Sequence, residues 1–411
     1  MKPPPALHAA LFLLGASVGL SAADWPGFLG PDQDGRIAET IDATKWPTSG
    51  LTTRWRYDVG EGFSGPAVLG DRVIISHRIG GSQHTDAVRV SDGSRLWRAS
   101  HPTSYRDDFG FDEGPRATPA LNADVAVTLS AAGIGRAIAM DDGATRWEVD
   151  FAKEFGAGKG FFGFAASPIL VDDLALFTVG GRPNAGIVAV ALDDGWIEWT
   201  AGNHEAGYAA PTLAEIQGES VVVFFTRDGL VARDPRTGEE AWTFPWRARM
   251  NASVNAATPL VWNDQVFVTS SYNAGAALVD PTASQPKTLW DGDSQLSCHY
   301  ATPIRFGDHL YGADGRVDFR GSMSMRCVDW ATGDVLWRKS LRTGVSIIGV
   351  GDSLLVLSDD GELQQWKATP EEPTILNRAQ VLGAVARAAP AFSDGTLYAR
   401  DSKRLVAVEI P

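Results

Sequence analysis

The stretch Asp329-Trp330-Ala331-Thr332-Gly333-Asp334-Val335-Leu336-Trp337 decides the fold. Its skeleton is a turn glycine with a tryptophan four residues later. The same spacing recurs at Asp92-Gly93 with Trp97, Asp142-Gly143 with Trp147, Asp194-Gly195 with Trp199, and Thr237-Gly238 with Trp242. Glycine supplies the positive φ that such a turn needs. A large ring at a fixed place after it predicts an outer strand whose tryptophan wedges against a neighbouring unit. Trp290 fills the same slot after a longer turn.

Outward from each turn lie alternating apolar segments, and each set opens on a short Ala/Thr/Ser-Pro step. The steps are Ser64-Gly65-Pro66, Ala117-Thr118-Pro119, Ala166-Ser167-Pro168, Ala209-Ala210-Pro211, Ala257-Thr258-Pro259, Ala301-Thr302-Pro303 and Ala388-Ala389-Pro390. A degenerate copy, Val345-Ser346-Ile347, stands between the last two. The period is about 46 residues, within the range that marks a repeat architecture.

One repeat, residues 257–290, shows the internal order. Thr258 to Trp262 reads as strand one, and Asn263-Asp264 turns the chain. Gln265 to Ser270 alternates as strand two, Ala276 to Asp280 is strand three, and Lys287 to Trp290 is strand four. Four antiparallel strands of this kind make a propeller blade. The seventh repeat lacks a docking tryptophan: Trp366 falls too early, and Thr374 to Ala379 is its expected outer strand. The eighth has only three strands before the chain ends. Thr52 to Tyr57, with Trp55 in the docking slot, supplies the missing one. The expectation is an all-β fold: an eight-bladed β-propeller of four-stranded antiparallel blades over residues 52–411. Closure by the N-terminal strand removes the open edges of a linear array.

Composition excludes some partners. The formal net charge is −14, which disfavours nucleic acid, whose binding needs clustered cations. Residues 1–23 read as an export leader: Lys2, an apolar run from Ala9 to Leu20, then Ser21-Ala22-Ala23 before a cut ahead of Asp24. The run is too short to span a bilayer, and no cysteine follows it to carry a lipid anchor. A soluble, periplasmic or secreted monomer is expected, with residues 24–51 as an N-terminal extension. Cys298 and Cys327 fall on segments separated by a whole strand, beyond ordinary disulfide reach, so buried free thiols are expected.

The Asp329–Trp337 turn resembles the tryptophan-docking repeat of the quinoprotein family, the eight-bladed propellers of pyrroloquinoline quinone (PQQ) alcohol dehydrogenases and their non-catalytic relatives. Trp25-Pro26-Gly27-Phe28-Leu29-Gly30-Pro31-Asp32-Gln33-Asp34-Gly35, Gly114-Pro115-Arg116-Ala117-Thr118-Pro119 and His299-Tyr300-Ala301-Thr302-Pro303 resemble segments of exported PQQ-like repeat proteins. The resemblance implies, for the enzymes, a disulfide between adjacent cysteines against the cofactor. It also implies calcium held by Glu, Asn and Asp, a catalytic Asp and often a Cys-x-x-Cys-His haem site. This chain has neither adjacent cysteines nor Cys-x-x-Cys. The resemblance therefore points to the binding scaffolds of the family, with PQQ and calcium as the alternative. The family's outer-membrane assembly propeller is lipid-anchored, a feature not indicated here.

In such a ring the position three before each proline faces the channel mouth: Phe63, Arg116, Ala165, Tyr208, Ala256, Tyr300, Gly344 and Arg387, with Asn255 and His299 one step further out. Two guanidiniums, aromatics, an amide and an imidazole around one opening suit an anionic or planar ligand. Equally, Arg116 and Arg387 can pair with loop carboxylates such as Asp112 or Glu113 while the tyrosines fill the channel. The loop Tyr105 to Glu113 could bind calcium or present an acid/base pair, or simply be a solvated loop. Asp32-Gln33-Asp34-Gly35 lacks the later bidentate Glu of a calcium loop and reads as a tight turn. Gly156-Ala157-Gly158-Lys159-Gly160 has the wrong spacing for a phosphate loop; with Phe161, Phe162 and Phe164 it reads as a loop over the mouth. Asn251-Ala252-Ser253 fits a glycosylation triplet. No metal spacing of histidines and no nucleophile elbow appears. The expected function is an exported, non-catalytic scaffold for a protein, glycan or small ligand. The alternative is a PQQ-dependent alcohol or sugar dehydrogenase.

Overall fold

A computed structural model describes residues 24–250, 254–319, 321–383 and 385–411. The expected leader and the Asn251-Ala252-Ser253 triplet lie outside the described residues. Thirty-two of the strands fall into eight antiparallel blades of four, and a short N-terminal strand extends one of them. Among the described residues, helix is confined to Phe151–Glu154 and a 3-10 turn at Ala43–Lys45. No described helix is long and apolar enough to cross a membrane.

In the blades that open on a proline step, the inner strand starts one residue after the proline, at Ala67, Ala120, Ile169, Thr212, Leu260, Ile304 and Ala391. The sequence places strand one from Thr258; the ladder actually runs Leu260–Trp262. Proline has no N–H to contribute, so pairing begins beyond it. The hydroxyl before the proline has another use. The N–H of Gly65 donates to Thr118 Oγ1 (3.1 Å), that of Thr118 to Ser167 Oγ (2.9 Å), and that of Thr258 to Thr302 Oγ1 (3.0 Å). Each bond crosses from one blade to the next beside the axis.

The tryptophan docking is as expected and more specific. The indole N–H groups of Trp55, Trp97 and Trp147 donate to the carbonyls of Val90 (2.7 Å), Met140 (2.8 Å) and Leu192 (3.0 Å) of the following blade. Trp199, Trp290 and Trp337 do the same to Pro235, Trp330 and Thr369. In all but Trp337, whose partner turn has no glycine, the ring then lies against the turn glycine of that next blade. A Cβ on Gly93 or Gly143 would sit 2.8 Å from Trp55 or Trp97. The seventh blade, whose outer strand is Ile375–Gln380, has no turn to dock on, because the eighth blade's strands three and four come from opposite ends of the chain. Thr53–Asp58 pairs antiparallel with Arg404–Glu409, setting Trp55 opposite Ala407. This is the expected closure.

Turns between strands one and two and between three and four share one end of the ring, the turn face. Strand two-to-three turns and the blade connections share the other, the loop face. The extension covers the axis at the turn face. Trp25, buried, pairs with Val68 of blade 1. The Leu121 N–H donates to the Pro26 carbonyl (2.7 Å), and the Leu213 N–H to Gln33 Oε1 (2.8 Å). Arg36–Ile37 adds a parallel strand to Gly349–Val350 of blade 7, and the Glu39 carboxylate accepts from the N–H groups of Asp394 and Gly395 in blade 8. One end of the channel is therefore plugged by residues 25–39 of the same chain. The Asp32–Gly35 stretch is a turn within this plug, its Asp34 carboxylate accepting from the Arg36 N–H (2.9 Å).

Cys298 bridges onto Asp314 and Gly315 at the end of strand two of blade 6, and Cys327 lies in strand three opposite Tyr311. Both are buried free thiols.

Candidate functional site at the loop face

The blade connections gather around the other end of the channel, its mouth on the loop face. Phe63, just before blade 1, has two guanidiniums near its ring: the Arg116 carbon lies 5.8 Å from the ring centre and the Arg387 carbon 5.9 Å. Such placement over an aromatic face is attractive. Neither arginine is idle. Arg116 donates to the buried Asp107 carboxylate (3.1 Å) and to the Asp112 carbonyl (3.0 Å). Arg387 donates to Asp359 (3.1 Å), whose other oxygen accepts from the Tyr300 hydroxyl (3.0 Å). Burial pushes the Asp359 carboxyl up, against the pull of Arg387. Burial, and then the Asp359 charge, keeps the Tyr300 phenol far above its ordinary range.

The sequence offers Asp112 or Glu113 as counter-ions for Arg116; the structure assigns that role to Asp107. The Asp112 carboxylate instead accepts from the Gly62 (3.0 Å) and Gly114 (2.7 Å) N–H groups. Glu113 is taken by Arg106 and Arg78. The carboxylates of the 105–113 loop are thus engaged within the protein, Asp108 by Lys159 (2.5 Å).

His299 shares a hydrogen bond with the Tyr272 hydroxyl (2.9 Å) and packs 5.7 Å from Tyr300. Burial pushes its imidazole down to about 4. Arg116, Arg387, Tyr300 and His299 therefore form one arc around the mouth. Tyr208 stands apart from that chain of contacts. Its hydroxyl accepts from the Phe161 N–H (2.8 Å) and its ring meets Phe162 edge-on at 5.7 Å. Asn255 turns inward as a brace. Its amide donates to the Thr226 carbonyl (2.8 Å), and its backbone carbonyl takes the N–H groups of Tyr208 and Ala209.

Sequence reasoning missed how two loops combine. Phe109 stacks with Phe111 (6.2 Å) and packs at a tilt against Phe162 (5.2 Å) and Phe161 (6.1 Å). Lys159 ties the loops together through Asp108 and the Arg106 carbonyl (2.8 Å). Phe109 is 53% and Phe111 59% exposed, whereas Phe164 is buried. The signal was present as aromatic residues in both loops, but nothing in the sequence says the loops meet.

Among the described residues, no group of three or more His, Cys, Asp or Glu side chains is disposed to hold a metal ion. The guanidiniums that would meet a quinone's carboxylates already hold Asp107 and Asp359.

One family model matches residues 44–157, 81–319 and 321–410; it is described as outer membrane protein assembly factor BamB, of the PQQ-repeat type. The chain belongs to this PQQ-like β-propeller family. Among solved structures, BamB from Moraxella catarrhalis aligns with 87% of this chain and 99% of its own at 19% identity, TM-score 0.66. The quinohemoprotein alcohol dehydrogenase from Comamonas testosteroni aligns over 94% and 80% at 13% identity, TM-score 0.69. The computationally designed Ika8 protein aligns over 88% and 99% at 12% identity, TM-score 0.59. At these identities the likeness is one of fold, and within this family the fold carries dissimilar sites. No curated protein matches the chain.

Proposed function

We propose that this PQQ-like propeller is a non-catalytic scaffold that holds a protein partner on its loop face. The phenylalanine ridge carries the reading. Phe109 and Phe111 are held by Phe161 and Phe162 yet more than half exposed. Rigid aromatic groups left in water are typical anchors of protein interfaces, and clustered apolar surface marks an interaction site. Ile79, Met250, Phe319 and Val385 add exposed apolar groups on other connections of the same face. The family's description as an assembly factor agrees with a partner-holding role. Export rests on residues 1–23 as read from the sequence. A glycan or small ligand at the mouth would meet Arg116, Tyr208, Asn255, His299, Tyr300 and Arg387.

A photo-crosslinking residue at Phe111 should give discrete adducts that vanish in Phe109→Ser. The same probe at Trp196, 69% exposed on the turn face, should give none. Equal labelling from both faces overturns the assignment. A PQQ dehydrogenase would reduce dye with added PQQ, Ca²⁺ and an alcohol or sugar. No turnover is expected; turnover would replace the scaffold reading.

A further inference from the structure

The ring closes within blade 8, and a cavity of about 440 Å³ opens toward the loop face where that blade meets the exit from blade 7. Its walls are Gln380–Gly383, where the chain leaves blade 7, Arg56 on the closing strand, and Asp401, Lys403 and Arg404 leading into the last strand. Leu382 and Val406, both buried, supply an apolar floor.

The lining has three cations and one acid, in a chain whose net charge is −14. That acid is engaged by backbone: one Asp401 oxygen accepts from the N–H groups of Lys403 (2.7 Å) and Arg404 (2.8 Å), and the other from the Gly383 N–H (3.4 Å) where the chain leaves blade 7. Arg56 donates to the Thr53 hydroxyl (3.2 Å). The Arg404 pairing with Asp58 is long, 4.0 Å, and Asp58 is almost fully exposed. Among the described residues, no ion pair engages Arg56 or Lys403. Unlike Arg116 and Arg387 at the mouth, these cationic heads carry no buried counter-ion.

We propose that this seam cavity binds a small organic anion, one carboxylate or phosphate on a compact apolar body. The volume lies within the range of about 300–1,000 Å³ usual for small-molecule sites. The cations supply attraction that the surrounding negative surface denies an anion elsewhere. The Leu382–Val406 floor adds apolar burial that a bare inorganic ion cannot use. The ligand would touch both the closing strand and blade 7, so it stabilises the closed ring by linkage. The proposal is independent of the phenylalanine ridge.

Calorimetric titration with phenyl phosphate and with inorganic phosphate tests it. Phenyl phosphate should bind one-to-one and raise the melting temperature, with inorganic phosphate about tenfold weaker or more, the apolar body accounting for roughly 1.4 kcal/mol. The exposed double variant Arg56→Gln/Lys403→Gln should weaken phenyl phosphate about tenfold or more. Arg54→Gln, on the same strand but outside the lining and paired with Glu409, should bind as wild type, as should Phe109→Ser. Absence of saturable binding, equal affinity for the two probes, or undiminished binding in the double variant overturns the proposal. Circular dichroism of each unliganded variant separates a binding loss from a folding loss.

Discussion

Gly143 meets two demands at once. Its φ of 76° is one that a side chain tolerates poorly, and the Trp97 ring occupies the space a Cβ would need, 2.8 Å away. Gly143→Ala adds the left-handed backbone penalty to displacement of a buried indole. A loss of about 2–4 kcal/mol is expected, read as a lower urea midpoint at unchanged slope. His101 makes a different prediction. Its Nδ1 accepts from Arg136 (3.2 Å), and its other ring nitrogen is buried without a hydrogen-bond partner. Burial, then the Arg136 charge, pushes the imidazole down to about 4. A folded value below the unfolded one gives stability that is complete above about pH 6.5 and lost as pH falls toward 4. His101→Gln should flatten urea-unfolding stability across that window. A variant with the wild-type slope would show that other groups dominate.

At the level of the element, the closing strand is held by more than its ladder. Asp86 of blade 1 accepts from Tyr57 on the closing strand (2.6 Å), from His77 (2.8 Å) and twice from Arg98 (2.6 Å each). His77 in turn accepts from the Gly60 N–H (3.0 Å). Burial works against the Asp86 charge, but the hydrogen bonds from Arg98, His77 and Tyr57 prevail and hold its carboxyl below the ordinary range. Asp86→Ala strands a guanidinium and an imidazole; about 3–5 kcal/mol should be lost. Tyr57→Phe removes one hydroxyl that donates to a charged carboxylate and should cost less, about 1.5–2 kcal/mol. Denaturant melts of both variants check the ordering. The elements were legible because their signals are local. The Gly-x-x-x-Trp spacing and the proline steps recur within a few residues of the structures they make. The Asp86 network was not legible, since Tyr57 and Asp86 are ordinary residues until the ring closes. The same holds for the mouth: counting back from each proline located Arg116 and Arg387, but choosing Asp107 over Asp112 needs the loop's path in space. Nor does the sequence of the extension disclose that Trp25 and Gln33 would plug one end.

For the whole molecule, both cysteines lie within blade 6, and burial pushes their thiols up, Cys327 to about 12. The folded protein should give no colour with a thiol reagent, and unfolding in denaturant should release two equivalents. A fast-reacting native thiol would contradict the packing of that blade. The pairing of Thr53–Asp58 with Arg404–Glu409 joins segments at nearly opposite ends of the sequence. Loop entropy must be spent before such distant partners reward it. A ribosome delivers the N-terminal end first. The early strand, its Trp55 and the Tyr57 hydroxyl must therefore wait until Arg404–Glu409 has emerged. Truncation near the carboxyl end then costs far more than the handful of residues removed. It leaves an arc of sheets with two sticky flanks, and such a product is a substrate for chaperones and proteases rather than a slightly shorter ring.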